Sequence, residues 1–170
     1  IQMPFAYNKK AMFGYYKKKS HEVVPIEKCY LQSDDMTEVV KFIKNLCNEL
    51  KVSIYNEISG KGLLRHVLVR KNYKNELMIV LITNGFDFYN SDIIVSKIVD
   101  RYSNVKSIYQ SINLKKNNVI LGEQSKLLYG QKTLEEELCG LYFDVSYQSF
   151  FQVNRVQTEK LYKVVLDYSE

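Results

Sequence analysis

The chain has 170 residues, 46% hydrophobic and 25% charged, with a formal net charge of +5. That composition is globular and suits one domain with its own core, or one domain plus part of a neighbour. No apolar run approaches the ~20 residues of a membrane span, and the N-terminus lacks the charged leader, apolar run and cleavage site of a signal peptide.

The three cysteines, Cys29, Cys47 and Cys139, are odd in number and form no CxxC pair. They argue against a disulfide framework and for a reducing, cytoplasmic compartment. With only two histidines besides, they also argue against a self-contained zinc site. Cys47 and Cys139 read as small buried hydrophobes.

The first thirty residues read as strands. "IQMPFAY" and "AMFGYYK" flank "NKK" as a hairpin, and the chain opens without Met, as if entered in mid-strand. "EVVPI" carries a proline that suits an edge. Residues 1–21 hold Lys9, Lys10, Lys17, Lys18 and Lys19 and no acid, interleaved with Phe5, Tyr7, Phe13, Tyr15 and Tyr16. Two readings stand side by side: a polyanion surface combining phosphate neutralisation with base stacking, or lysines that protect an edge strand.

Residues 35–50 place Met36, Val39, Val40, Ile43, Leu46, Cys47 and Leu50 at 3.6-residue spacing, which predicts a helix. Asp35 with Glu38 resembles a capping pair. "LLRHVLVRK" and "ELMIVLITN" read as strands joined by "NYKN", the second apolar enough to be covered on both faces. "SDIIVSKIVDRYS" is a second helix with Ser91 as its cap, and "VKSIYQSIN" returns as a strand. The order helix, strand, strand, helix, strand is close to a ferredoxin-like half.

Short strands follow in "SKLLYG", "KTLEEEL" and "LYFDVSY", with turns at Gly130 and Gly140. In the last of them Phe143 and Val145 form the face expected to be buried. After "SFFQVN", Asn154 is an N-cap with Gln157 at the third helical position, and Val156, Leu161, Val164, Val165 and Tyr168 line a final helix. The expected fold class is α+β: a largely antiparallel sheet with two packed helices in ferredoxin-like order, plus β-hairpins and a C-terminal helix.

Glycine-rich nucleotide loops, GxSxG and HExxH are absent. His21 and His66 have no neighbouring acid and nucleophile that would make a triad, and Asp34 with Asp35 is a helix start. Taken residue by residue, this is an α+β domain without a legible active site.

The set "SHEVVPIEKC", "GLLRHVLVRKNYKNELMIVLIT", "VKSIYQSIN", "NNVILGE", "LYG" and "SFFQVNRVQTEKLY", in this order and spacing, resembles the RNA (uracil-5-)-methyltransferase family, in particular its 23S rRNA branch. The resemblance covers nearly the whole chain and is specific as a set. It implies an enzyme of three parts: an RNA-binding β-barrel, a central α+β domain, and a doubly wound domain that binds S-adenosylmethionine. It also implies covalent catalysis, in which a cysteine thiolate attacks uracil C6, C5 takes the methyl group, and a base then removes the C5 proton. Against that pattern residues 1–148 are expected to be the central domain and residues 149–170 the start of the catalytic one. The cofactor loop, nucleophile and base are expected further downstream, so no catalytic residue is expected here and the fragment is expected to be inactive.

The family's roles carry over to a few positions. Gln152 matches a glutamine lying against cofactor and target base, where an amide offers both a donor and an acceptor. Phe150 matches an aromatic beside the flipped uracil; in a strand, only one of Phe150 and Phe151 could face it. Cys29 aligns with the last cysteine ligand of a four-iron four-sulfur cluster that many members hold, its other three thiolates lying upstream of this chain. Arg65, His66 and Arg70 are candidates to face RNA, set against a charged outer sheet face. The partner implied is RNA, ribosomal before transfer, with no membrane and no protein partner expected. A non-catalytic RNA-binding module is the alternative class.

Overall fold

The computed structural model describes residues 1–30 and 32–169. Glu170, the last residue of the expected second segment, lies outside the described residues.

Strands β1 (Gln2–Asn8), β2 (Lys10–Tyr16) and β3 (Val23–Pro25) precede helix α1 (Asp34–Glu49). Strands β4 (Leu64–Lys71) and β5 (Leu77–Thr83) lead to α2 (Ser91–Arg101) and β6 (Val105–Ile112). Strands β7 (Gln124–Gly130), β8 (Leu134–Leu138) and β9 (Leu141–Val145) precede α3 (Arg155–Asp167). Seven strands form one sheet in the order β3-β2-β1-β4-β5-β6-β7, and β8 and β9 pair separately. Within the large sheet β5–β6 is the parallel pair and the other neighbours are antiparallel.

The α+β class and the order of elements are as expected. The pairing is simpler than a ferredoxin-like split, because β5 and β6 lie side by side with α2 as their crossover.

The two helices cover one face of the sheet. Val39, Val40, Ile43, Leu46 and Cys47 of α1, with Ile94 and Ile98 of α2, pack on Val67, Val69, Leu77, Ile79, Leu81 and Ile108. The opposite face carries Leu68, Met78, Val80, Ile82 and Tyr109, covered by Leu134 of β8 and by Tyr147. Strand β5 is therefore buried on both sides along its whole length, which is why its sequence is an apolar run and not an alternation.

Four local expectations are corrected. Asp35 does not pair with Glu38 to cap α1: its carboxylate accepts from Met36 N–H at 2.9 Å and binds Lys71 Nζ at 2.8 Å, while Glu38 binds Lys41. The N-cap residue of α2 is Asn90, one before Ser91. Phe143 is 42% exposed, since β8–β9 lies off the large sheet and reaches the core through Leu134, Leu138 and Val145. Cys139 is exposed, because with Gly140 it makes the β8–β9 turn at positive φ (53° and 79°), the two-residue primed geometry.

Asn154 does cap α3: its side-chain oxygen accepts from Gln157 N–H at 3.2 Å. The expected apolar stripe of α3 is exposed along Val156, Leu161, Val164, Val165 and Tyr168. No helix among the described residues is long and apolar enough to cross a membrane.

Candidate functional site

The candidate site is the link between β9 and α3. It starts in a serine-rich turn, where Ser146 Oγ accepts from the Gln148 and Ser149 N–H groups and Ser149 Oγ accepts from Ser146 N–H. Such hydroxyl-to-backbone bonds favour a turn over a continued strand. Tyr147, between the two serines, buries its ring against Tyr109 with centroids 4.7 Å apart.

Arg70, at the far end of β4, donates from Nη2 to the carbonyls of Tyr147 (3.3 Å) and Ser149. Beyond this point the backbone is irregular to Asn154. Phe151 packs on Phe143 with ring centroids 6.1 Å apart, whereas Phe150 is 85% exposed and Gln152 is exposed. Of the two phenylalanines, Phe150 is thus the exposed one and Phe151 is half-buried. The link has no strand geometry, so packing and not β alternation makes the choice.

At its other end the link enters α3 through a second set of contacts. Arg155 is ion-paired with Glu137 of β8 and, at 2.8 Å, with Glu159. Its guanidinium also lies 5.6 Å from the centroid of the Tyr73 ring, within cation–π range. Thr158 is buried and donates its hydroxyl to Asn154 O at 2.8 Å.

The expectation that Arg65 and His66 face RNA is corrected: they are 3% and 4% exposed. A register shift in the β4–β5 ladder falls between Leu64 and His66, and a bulge there frees consecutive residues from strict alternation. Arg65 Nη1 donates to Asn113 O (2.9 Å) and Lys115 O (2.8 Å), Nη2 lies 3.6 Å from Glu57, and the guanidinium stacks on Tyr55 at 4.4 Å. It fastens the loop after β6 to the sheet. His66 Nε2 is 3.2 Å from Tyr16 Oη. Burial, then the Arg65 charge, pushes the His66 pKa down to about 4, so the imidazole is neutral at pH 7. Arg70 likewise turns inward, onto the link.

Cys29 is half-buried and accepts from Tyr15 Oη at 3.4 Å. Burial, followed by the bond to Cys29, pushes the Tyr15 pKa up to about 12. Cys47 lies in the core, where burial raises its thiol pKa to about 12, and Cys139 is in the β8–β9 turn. Among the described residues no group of three or more His, Cys, Asp or Glu side chains could hold a metal ion.

The N-terminal lysines do not form one patch. Lys9 and Lys10 are at the β1–β2 turn beside exposed Tyr7, while Lys17, Lys18 and Lys19 follow the opposite end of β2. Lys17 pairs with Glu22 at 3.3 Å, and Tyr16 meets His21 edge to face at 5.3 Å. The contacts of Arg70 with the link, and of Arg155 with Glu137 and Tyr73, carry no sequence signal, since the partners are distant in the chain.

The structure thus defines a mixed α+β sheet body whose last hairpin hands the chain, through a pinned and partly exposed aromatic link, to a helix. No family model matches the chain. It is 41% identical over 160 residues to an uncharacterized RNA methyltransferase of Clostridium acetobutylicum, covering 94% of this chain and 35% of that protein. It is 40% identical over 172 residues to one of Staphylococcus aureus, covering 99% of this chain and 38% of that protein. The chain therefore spans little more than a third of the length of these relatives.

Among solved structures it resembles the tRNA (uracil-54, C5)-methyltransferase of Pyrococcus abyssi in complex with S-adenosyl-L-homocysteine. The TM-score is 0.76 at 23% identity, over 97% of this chain and 39% of that one. At that identity the likeness is one of fold. The sequence relatives are RNA methyltransferases, and in each the match is to a part of the protein.

Proposed function

We propose that this chain is the central segment of an S-adenosylmethionine-dependent RNA (uracil-5-)-methyltransferase, acting on a uridine of 23S rRNA. Residues 1–148 are its α+β domain and residues 149–170 open the cofactor-binding part. The observation that carries this reading is the match of almost the whole chain to a part of proteins named RNA methyltransferases.

When bound, S-adenosylmethionine supplies the methyl group. In this chain Phe150 offers an exposed ring against which an unstacked base can lie. Gln152, two residues on and also exposed, brings an amide that donates and accepts hydrogen bonds to polar edges of base or cofactor. The sheet body holds that link at the rim of the site. The thiolate and base of the C5 chemistry belong to the rest of the enzyme, so the 170-residue chain alone binds and positions without transferring a methyl group.

The test is methyl transfer from labelled S-adenosylmethionine by the full-length protein to unmodified 23S rRNA and, separately, to unmodified tRNA. Labelled 5-methyluridine in the 23S rRNA is the expected product, with none from the 170-residue chain alone. Label in tRNA alone would move the substrate assignment to transfer RNA, and no label in either would refute the reading.

A further inference from the structure

The link that presents Phe150 and Gln152 is held at both ends by arginine side chains, one from strand β4 of the large sheet and one that reaches back from α3 to the β8–β9 hairpin. On the near side Arg70 bridges the carbonyls of Tyr147 and Ser149, which are 77 and 79 residues away in sequence. On the far side Arg155 pairs with Glu137 of the β8–β9 hairpin and stacks on Tyr73. Between the anchors Phe151 is held against Phe143, leaving Phe150 and Gln152 exposed between fixed neighbours.

Resting on the function proposed above, we propose that Arg70 and Arg155 are positioning residues that fix the active-site link to the central domain, so that Phe150 and Gln152 move with the sheet. Thr158 is 5% exposed, whereas Leu161, Val164, Val165 and Tyr168 are exposed. The mechanical boundary between the two parts of the enzyme therefore falls after Thr158 and not at residue 149.

Arg70 reaches both carbonyls from one nitrogen, Nη2, and its guanidinium stays charged when burial lowers its pKa. Strand β4 is paired on both edges, with β1 and β5, so removing the Arg70 side chain frees the link without opening the sheet. The consequence for the reaction is geometric, because misplacing positioning groups by about 1 Å costs on the order of 10²-fold in rate.

The test compares wild-type full-length enzyme with Arg70→Ala, Arg70→Lys and Lys71→Ala. Lys71 is the next residue on β4, and its ion pair with Asp35 at 2.8 Å ties the strand to α1. Amide hydrogen exchange is followed across residues 147–158, and kcat and KM for methyl transfer to RNA are measured beside Tm. Arg70→Ala is expected to speed exchange over residues 148–154 by about tenfold or more, with β4 and β5 unchanged. It is expected to lower kcat on the order of 10²-fold with little change in KM. Arg70→Lys should fall between Arg70→Ala and wild type, and Lys71→Ala should keep wild-type kcat.

Unchanged exchange in Arg70→Ala overturns the pinning. Faster exchange with wild-type kcat overturns the positioning role, as does an equal kcat loss in Lys71→Ala. Wild-type enzyme that methylates no RNA refutes the underlying function instead, and the exchange data still report on the anchor.

Discussion

Replacing Arg65 with alanine separates a scaffold role from an RNA contact. The guanidinium makes two charge-assisted bonds, to Asn113 O at 2.9 Å and Lys115 O at 2.8 Å, each worth about 1.5–3 kcal/mol. It also faces Glu57 at 3.6 Å and stacks on Tyr55 at 4.4 Å, the stacking adding about 0.5–2 kcal/mol. These contributions share one side chain and do not add. Breaking a buried charge network by removing one partner costs about 3–5 kcal/mol. With a urea m-value of ~2 kcal/mol/M, the midpoint should fall by about 2 M at unchanged m. Urea unfolding followed by far-UV circular dichroism reads this directly. A midpoint within ~0.3 M of wild type, with RNA affinity reduced, would refute the structural assignment and return Arg65 to the RNA surface.

Other outcomes follow from the same structure. His66 is neutral in the fold with its pKa near 4, against about 6.5 unfolded. Its contribution is therefore fully present above pH 6.5 and is lost as the pH falls from there toward 4, by roughly 3 kcal/mol in all; His66→Gln should flatten that part of the stability–pH curve. Cys139 in the exposed turn should react with a thiol reagent in the native protein, while Cys47, buried with its pKa near 12, should react only on unfolding; mass-resolved labelling in the presence and absence of denaturant distinguishes them. A Cβ on Gly14 would lie 1.8 Å from Val24 O, so Gly14→Ala should release β3 at a cost of about 1–3 kcal/mol, seen as faster amide exchange in Val23 and Val24 with β4–β6 unaffected.

The parts of the chain that were legible share one property: their signal is local. The 3.6-residue stripe of α1, the unbroken apolar run of β5 and the Asn154 cap each follow from neighbours a few positions apart. The exposed stripe of α3 shows the limit. Periodicity correctly gave a helix, but it does not say whether the apolar face has found a partner.

The candidate site divides in the same way. Phe150 and Gln152 are singled out by their segment's resemblance to a family, and they lie exposed on the link. Arg65, His66 and Arg70 looked like an outward basic row on one strand. The register shift at β4, the loop after β6 and the link after β9 turned all three inward. A charged residue on a strand faces solvent only if nothing covers that face, and whether something does depends on segments 48 to 79 positions away.

By itself, then, the sequence determined the elements, the α+β class and the segment that carries the family resemblance, because helix and strand periods and caps are short-range. Only the tertiary structure decided which of two adjacent phenylalanines is exposed, that Arg65 is buried against the loop after β6, and that Arg70 fastens the link to the sheet. Each of these depends on contacts between residues far apart in the chain, and burial sets their strength: a guanidinium bonded to carbonyls away from water fixes a loop, whereas the same group in solvent would hold nothing in place.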